Sequence, residues 1–404
     1  MISIFEAQQM VLEKVAPLPS EGVDLLQGLG RIISEEIVAR WDLPGVDNSA
    51  MDGYAFSHQA LQSNYMNVIG FLPAGTERTV PVPPGEAIKI MTGAPLPAGC
   101  DTVVPIEDVE AMGDGIRLKT DVKPGAHVRR RGENVLAGEC VIAAGTELSP
   151  LQIGLLASLG RTEVSVYRRP KVAIIATGDE LVEAGSVPDG ATIVNSNSHS
   201  IATQVLEAGA EPVLLGIARD TREATREKIL RGLDADVVIT TGGVSVGDKD
   251  HVKEVIQELS AELLFWKVNV KPGKPTAFAM LGGKPFFGLP GNPVAAMIAF
   301  EQFVRPALLK MMGHPSVFRP VVKATSSDAF RNNGDRPHLV LCRVGMADGK
   351  HIVSISAAQG SANLVTIAQA NGLIELPPGA SIVPGTEADV TLLTRNFGMR
   401  SVCQ

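Results

Sequence analysis

The sequence predicts a multidomain α/β plus β protein, with a central doubly wound α/β domain and small β-rich modules on both sides of it. In the centre, continuous apolar runs alternate with helical stretches, as in a parallel sheet that is covered on both faces. On either side, short apolar runs are separated by dense glycine and proline turns, which indicates small β modules. The chain has 404 residues, about two to four times the length of a typical domain, so several cores are expected.

These changes of pattern predict four domains. Domain I is a discontinuous helical and linker domain, residues 1–46 with 141–167, and domain II is β-rich, residues 47–140. Domain III is the central α/β domain, residues 168–314, and domain IV is β-barrel-like, residues 315–404.

Composition excludes several classes of protein. The formal net charge of −8 argues against a general nucleic-acid binder, which would carry a basic excess. The 4 cysteines lie far apart without a C-x-x-C pair, so a disulfide scaffold or zinc ribbon is not expected. No signal peptide pattern is apparent and no apolar run approaches the ~20 residues of a membrane span, so we expect a soluble cytoplasmic protein without a membrane partner.

Two helices are predicted in domain I. Ser3 and Glu6 form a capping-box pattern, which predicts a helix from about Ile4 to Val15. Its apolar face is expected to carry Phe5, Met10, Val11 and Val15. A second helix is expected over Pro150 to Leu159, with Gly160 at its C-terminal cap.

The elements of the central domain follow from its alternating pattern. The predicted strands are residues 172–176, 212–217, 237–239 and a run that ends at Phe286-Phe287. The predicted helices are residues 200–208, 221–231, 250–259 and one in which Asn292 is the cap and Pro293 the first residue.

Polar and glycine-rich segments follow the strands of the central domain, where ligands of open α/β sheets bind. They are Thr177-Gly178-Asp179-Glu180, Arg219-Asp220, residues 240–250 and Gly288-Leu289-Pro290-Gly291-Asn292-Pro293. Glycines let backbone N–H groups approach a phosphate. Glu180, Asp220 and Asp250 are expected to converge at one edge, where carboxylates can hold Mg²⁺ against a phosphate.

Structural interpretations of the same residues stay open. Asp250 and Asp220 can each be an ordinary helix N-cap, and Gly242-Gly243 can simply tighten a turn. Lys271 and Lys274 lie in a proline-stiffened loop that suits an oxyanion pocket, or a solvated turn. The segment around Asp52 fits an Asx turn as well as a site, and the segment around Thr92 is similarly ambiguous.

An ordered set of these segments resembles the MoeA family, the molybdopterin molybdotransferases, which include relatives such as the gephyrin E domain. The motifs that carry the resemblance are collinear over nearly the whole chain. They are residues 49–55 (SAMDGYA), 91–95 (MTGAP), 176–181 (ATGDEL), 241–247 (TGGVSVG), 271–275 (KPGKP), 288–293 (GLPGNP), 360–364 (GSANL) and 370–374 (ANGLI).

The resemblance implies a homodimer of four-domain subunits with a molybdopterin-binding-like central domain. It implies that the protein inserts molybdate into adenylylated molybdopterin and releases AMP in a Mg²⁺-dependent step. The attacking oxygen can come from water or from molybdate. The central domain also resembles the molybdopterin adenylyltransferase, which is a candidate partner.

The resemblance also implies roles for single residues. The implied catalytic residues are Asp52, Thr92, Glu180, Asp220 and Asp250, with the first two contributed by the other subunit, and the implied metal ligands are Glu180, Asp220 and Asp250. The implied substrate-binding residues are Thr177, Gly178, Asp179, Gly242, Gly243, Ser245, Gly247, Lys271, Lys274, Pro290, Gly291, Asn292, Pro293 and Ser361, of which the lysines fit molybdate.

Two positions depart from the family pattern: Ala295 stands where serine is common, and Ala362 where a second glycine or serine is usual. The first change removes a hydroxyl that could bind molybdate. Two other functions fit the same fold, adenylyl transfer to molybdopterin and a non-catalytic scaffold. The β modules on both sides of the central domain argue against the former, and the absence of a long extra linker or appended domain argues against the latter.

Overall fold

The computed structural model describes residues 1–244, 251–355 and 359–393. The chain forms two compact units, which we call the larger unit (Met1–Gly22 with Ser165–Gln404) and the smaller unit (Val23–Val164). It passes from one to the other within the strands Ser20–Asp24 and Glu163–Tyr167. The boundaries of the four predicted domains stay a prediction.

A six-stranded sheet forms the centre of the larger unit. Its strands in chain order are Lys171–Thr177 (β1), Glu211–Ala218 (β2), Val237–Thr241 (β3), Glu262–Phe265 (β4), Ala277–Leu281 (β5) and Lys284–Leu289 (β6). The spatial order is β2-β1-β3-β6-β5-β4, and the first four of these are parallel. Because β2 and β3 lie on opposite sides of β1, the strand order reverses there, and a crevice is expected at the carboxyl ends.

Helices cover both faces of this sheet. In the larger unit they are Ile4–Lys14 (α1), Asn197–Ala208 (α2), Arg222–Gly232 (α3), His251–Glu258 (α4), Pro293–Ala299 (α5), Arg305–Met311 (α6) and Leu364–Gln369 (α7), with a π-helical turn Phe300–Val304 between α5 and α6. Ile174 packs in one core with Ile201 of α2. The next residue, Ile175, packs in the other with Ile229 of α3 and Val255 of α4. The central domain is therefore doubly wound, as predicted.

The first helix has about the predicted span, and its buried face differs from the prediction at Phe5. Ser3 caps α1 with the predicted capping box. The prediction that Phe5 lies on the apolar face is wrong, because Phe5 is 66% exposed. Val11 and Val15 are buried and Met10 is partly buried against the same core, as predicted, and Ile4 and Ala7 complete the buried face.

Two details of the predicted helices are also wrong. Helix α2 begins at Asn197 rather than Ser200, so it gains a first turn of polar residues. Asn292 occupies the N-cap position of α5, but its side chain makes no cap hydrogen bond. Its Nδ2 instead donates to Ser361 Oγ at 3.1 Å, so a distant segment competes successfully for the amide.

A closed five-stranded barrel follows the central domain. Its strands are Val321–Ser326, His338–Ala347, Lys350–Ile355, Gly372–Leu376 and Glu387–Leu392. Alternate residues such as Val340, Cys342 and Val344 fill its core. Two short pairs complete the larger unit: Leu181–Val182 with Ile193–Val194, and Phe330–Arg331 with Ser381–Ile382.

The smaller unit contains a second six-stranded sheet. Its strands in spatial order are Thr102–Pro105, Gly53–Phe56, Glu86–Ile90, Tyr65–Leu72, Gly115–Leu118 and Val109–Met112. Shorter elements are the strand pairs Ile37–Val38 with Cys140–Ile142 and Asn48–Ser49 with Val128–Arg129, the 3₁₀ turns Leu25–Gly28, His58–Ala60 and Ile106–Asp108, and the helix Pro150–Ser158.

The prediction of a multidomain α/β plus β fold is thus confirmed, with β-rich segments before and after the central domain in sequence. Within the described part of the chain, no helix combines the length and the apolar character that crossing a membrane requires.

Candidate active site

A pocket of about 780 Å³ lies at the carboxyl ends of β1, β3 and β6. This is the edge where the reversed strand order leaves a crevice. The pocket is lined by Thr177, Gly178, Glu180, Leu181, Ile193, Val194, Asn195, Ser196, Asn197, Asp220, Thr241, Gly242, Gly243, Val244, Pro275, Pro290, Gly291, Asn292, Pro293, Ala362 and Leu364.

Two carboxylates line this pocket, and backbone contacts hold one of them in place. The Asp179 N–H donates to Asp220 Oδ2 at 3.3 Å, and the Asp220 N–H donates to Asp179 Oδ1 at 3.1 Å. Arg219 Nη1 donates to the backbone oxygens of Asp179 and Leu181. These contacts tie the segment after β1 to the segment after β2, so that Glu180 and Asp220 face one cavity.

The suggestion that Asp220 caps the following helix is wrong. Thr221 is the N-cap of α3, and its side chain accepts a hydrogen bond from the Ala224 N–H at 3.3 Å. The Asp220 carboxylate is therefore not engaged by the helix that follows it, and it lines the pocket.

A glycine at the end of β3 allows the close approach of two strand ends. Gly242 has a φ of +86°, and a Cβ there would lie 2.8 Å from both the carbonyl oxygen and Oγ1 of Thr177. The Gly242 N–H donates to the Leu289 carbonyl at 3.1 Å, at the end of β6. A side chain at this position would push the edges of the pocket apart.

The loop before α5 is held by residues from two other segments. Asn197 Nδ2 donates to the Gly291 carbonyl at 2.8 Å. The Val294 N–H donates to the Ser361 carbonyl at 3.1 Å, alongside the contact of Asn292 with the Ser361 hydroxyl. Ser361 itself is not among the residues that line the pocket, whereas its neighbour Ala362 is.

The two-lysine loop lies beside a buried histidine. Lys271 pairs through its backbone with Pro337 and Leu339, and it forms a parallel bridge with His338. His338 is 3% exposed, and its burial, with a contribution from the Lys271 charge, lowers its pKa to about 4. The imidazole is therefore neutral at neutral pH. Among the described residues, Pro275 of this loop lines the pocket while Lys271 and Lys274 do not.

Asp52 and Thr92 lie together in the smaller unit, although 40 residues separate them. Asp52 Oδ1 accepts hydrogen bonds from Thr92 Oγ1 at 2.6 Å and from the Thr92 N–H at 2.7 Å. These bonds stabilise the charged form, so they lower the pKa of Asp52. The two residues belong to separate sequence motifs, and in the structure they form one hydrogen-bonded pair.

Three family models match successive parts of the chain. They are described as "MoeA N-terminal region (domain I and II)", over residues 2–160, "Probable molybdopterin binding domain", over residues 173–310, and "MoeA C-terminal region (domain IV)", over residues 323–393. The chain is 36% identical over 399 residues to a protein of Nostoc named molybdopterin molybdenumtransferase, covering 95% of this chain and 92% of the relative. The chain belongs to the MoeA family.

Other MoeA proteins agree with this assignment. A Haemophilus influenzae protein of the same name is 39% identical over 325 residues, which is 79% of this chain and 80% of the relative. A solved structure described as the molybdopterin biosynthesis MoeA protein from Pyrococcus horikoshii superposes with a TM-score of 0.82 at 30% identity, covering 97% of this chain and 100% of that one.

The structure brings together many of the residues that the MoeA resemblance implies. Those that line the pocket are Thr177, Gly178, Glu180, Asp220, Gly242, Gly243, Pro290, Gly291, Asn292 and Pro293. Asp179 and Ser361 contact lining residues without lining the pocket themselves. Ser245, Gly247 and Asp250 lie outside the described residues, so the proposed third carboxylate is not placed.

The sequence prediction missed one side of the pocket. Asn195, Ser196 and Asn197 line it at the start of α2, after the short strand Ile193–Val194. The sequence does carry a signal for it, since the apolar pair Ile193–Val194 is followed by three polar residues. The same pattern marks the other strand ends of the central domain. Among the described residues no group of three or more His, Cys, Asp or Glu side chains is arranged to hold a metal ion.

Proposed function

We infer that this chain is a molybdopterin molybdotransferase, a transferase that inserts molybdate into adenylylated molybdopterin and releases AMP in molybdenum cofactor biosynthesis. One observation supports this most strongly. In a chain that belongs to the MoeA family over nearly its full length, Glu180, Asp220 and the glycine-rich strand ends line a single large pocket. The name shared by the Nostoc and Haemophilus relatives agrees with the activity.

Anion binding follows from the glycine-rich end of β3 and the start of α2. Gly242 and Gly243 line the pocket, where their small size lets a phosphate approach the main chain. Helix α2 begins at the same pocket, and the N-terminal end of a helix favours negative charge. These groups suit the pyrophosphate-like link of adenylylated molybdopterin.

Glu180 and Asp220 are the residues that we propose hold Mg²⁺. Carboxylate oxygens are the ligands that Mg²⁺ prefers, and one or two of them with substrate phosphates complete its usual coordination. Both carboxylates line the pocket, so the donor set fits the ion. The bound ion supplies neutralisation of phosphate charge. Asp250 is proposed as a further ligand and lies outside the described residues.

The reaction breaks the phosphoanhydride bond between AMP and the phosphate of molybdopterin. An oxygen of water or of molybdate attacks the phosphorus on the molybdopterin side, forms a new P–O bond there, and expels AMP as the leaving group. Asp52 is proposed to accept a proton when the attacking group carries one, because its bonds to Thr92 keep it deprotonated and aligned. No cysteine is required, because the substrate itself supplies the sulfur ligands of molybdenum.

Lys271 and Lys274 are proposed to bind molybdate. Their loop includes Pro275, which lines the pocket, and its backbone is fixed by hydrogen bonds to Pro337 and Leu339. Because little conformational freedom remains in such a loop, binding an anion costs less entropy. Ala295 is buried and supplies no hydroxyl that could bind molybdate. The two lysines are therefore proposed to provide a larger share of the binding than they would in a chain with serine at this position.

The protein is further proposed to act as a cytoplasmic homodimer, with Asp52 and Thr92 of a second copy completing the site and the adenylyltransferase delivering substrate. Mixing two inactive variants, Asp52→Ala and Glu180→Ala, tests this arrangement. If each site uses both copies, mixed dimers keep one intact site, and the mixture regains about a quarter of the wild-type activity. A mixture that stays inactive would show that Asp52 acts within its own chain, and an Asp52→Ala variant that is fully active alone would show that Asp52 plays no role in catalysis.

The activity itself is tested with purified protein. Adenylylated molybdopterin, molybdate and Mg²⁺ should give AMP and a product that activates a molybdenum-dependent apoenzyme. Free molybdopterin with ATP should give neither adenylylated product nor pyrophosphate. The reverse pattern would establish adenylyl transfer, and absence of both would leave the scaffold interpretation.

A further inference from the structure

We propose that Asn197 positions the organic part of the substrate by accepting a hydrogen bond from one of its N–H or O–H groups. This inference rests on the proposed function. It assigns a substrate-recognition role to a residue outside the family motifs described above.

Asn197 is buried and at the same time lines the pocket. It is the first residue of α2 and is 9% exposed. Its Nδ2 donates to the Gly291 carbonyl at 2.8 Å. Its Oδ1 is buried and has no hydrogen-bond partner in the part of the chain that the structure describes. A buried acceptor without a partner is costly, so a bound donor would gain from pairing with it.

The orientation of the Asn197 amide follows from the chemistry of Gly291. A backbone carbonyl can only accept, so the amide must present its nitrogen to Gly291 and leave its oxygen for another group. The alternative orientation would bring two oxygens together. The free atom is therefore an acceptor, and its ligand must be a donor.

Neighbouring polar residues satisfy one another and do not compete for this atom. Asn195 Nδ2 donates to Ser198 Oγ at 2.9 Å, and the Ser198 N–H donates to Asn195 Oδ1 at 3.2 Å. These bonds fix the start of α2, so Asn197 has a defined position among the residues that line the pocket.

The need for a donor selects one part of the substrate. Molybdate and ionised phosphates only accept hydrogen bonds, so they cannot pair with Asn197 Oδ1. The pterin offers ring and amino N–H groups, and the adenosine offers an amino group and two ribose hydroxyls. Both are the same chemistry, an N–H or O–H donor on the organic part, and the experiment separates the two sources.

The test measures binding to wild type and Asn197→Ala by calorimetry. The probes are AMP, AMP analogues that each lack one donor (the 6-amino group or a ribose hydroxyl), molybdopterin, and molybdate. If adenosine supplies the donor, wild type prefers AMP to one analogue about tenfold, and Asn197→Ala loses that preference. If the pterin supplies it, the analogues do not differ and Asn197→Ala binds molybdopterin about tenfold more weakly. Molybdate affinity should stay within about twofold in either arm.

Gln204 provides a matched control on the same helix. It is 8% exposed, its Nε2 donates to the Met297 carbonyl at 3.1 Å, and its Oε1 is buried without a partner among the described residues. It does not line the pocket. Gln204→Ala should therefore leave the affinities for AMP, its analogues, molybdopterin and molybdate unchanged. This result would show that the loss of a buried amide on α2 does not by itself weaken binding.

Three results would overturn the proposal. Asn197→Ala could bind AMP and molybdopterin as wild type does. It could instead weaken molybdate and the organic probes equally, which indicates only a loosened Gly291 loop. Finally, wild type could bind neither AMP nor molybdopterin, and this result alone would refute the proposed function together with the inference.

Discussion

Replacing Gly242 with alanine should damage the pocket without unfolding the protein. An alanine at a φ of +86° costs about 1–2 kcal/mol in backbone strain. Its Cβ would also lie 2.8 Å from the carbonyl oxygen of Thr177, where ordinary contacts begin at 3.4 Å. The end of β3 must therefore move by about 0.6 Å away from the end of β1.

That displacement would separate the pocket-lining groups at the ends of β1 and β3, which the reaction needs at fixed distances from one another. Because a misplacement of about 1 Å can cost a hundredfold in rate, a shift of this size predicts a fall in kcat/KM of about 10- to 100-fold. The assay is AMP release from adenylylated molybdopterin, with stability followed by thermal unfolding. Binding of AMP, measured by calorimetry, should weaken in the same variant.

Gly349→Ala is the matched control. Gly349 has a φ of +74° in the barrel, but a Cβ there meets no atom within 4 Å. It should lose about 1 kcal/mol of stability with unchanged activity. If Gly242→Ala kept its activity, or if both variants lost it equally, the close approach of β1 and β3 would not be what shapes the site.

Three further predictions concern charged groups. Thr92→Val removes the hydroxyl donor to Asp52, so the pKa of Asp52 should rise and the acid limb of the pH–rate profile should move to higher pH, as checked by carboxyl NMR. Glu180→Gln should lower kcat/KM at least about a hundredfold and raise the Mg²⁺ concentration needed for half-maximal activity. Arg319→Met should cost about 2 kcal/mol of unfolding free energy in urea titrations, because it removes the guanidinium 3.0 Å from Glu301, whose side chain is 8% exposed, and leaves that carboxylate with Arg305 at 3.9 Å.

Each has a control of matched chemistry. Thr76→Val removes a hydroxyl that donates to the Pro73 carbonyl rather than to Asp52, so the acid limb should not move. Glu227→Gln removes an exposed carboxylate of α3 and should leave the Mg²⁺ response unchanged. Arg222→Met breaks an exposed pair with Glu258 and should cost less than about 1 kcal/mol. If a variant and its control behave alike, the prediction made for that variant is wrong.

The convergence of Glu180 and Asp220 was predictable from the sequence. Both residues follow continuous apolar strands, and the carboxyl ends of parallel strands meet at one edge. The two-sided burial of β1 was equally readable, because Ile174 and Ile175 must face different cores in a doubly wound sheet.

Contacts between distant segments were not predictable in the same way. Asn292 reads locally as a helix cap, yet Ser361, 69 residues further along the chain, takes its amide. Asn197 follows an apolar pair that marks a strand end, but its contact with the Gly291 carbonyl, 94 residues further along the chain, is not readable from that pattern. Pairs of this kind depend on tertiary geometry rather than on local propensity.

The most direct test of the proposed activity counts AMP and molybdenum in the same single-turnover reaction. Wild type, given adenylylated molybdopterin, Mg²⁺ and molybdate without ATP, should release one AMP for each molybdenum that becomes bound to the dithiolene. Asp220→Asn should slow both events together, since its carboxylate lines the pocket where both are proposed to occur. Molybdenum incorporation without AMP release, or a requirement for ATP, would contradict the assignment as a molybdopterin molybdotransferase.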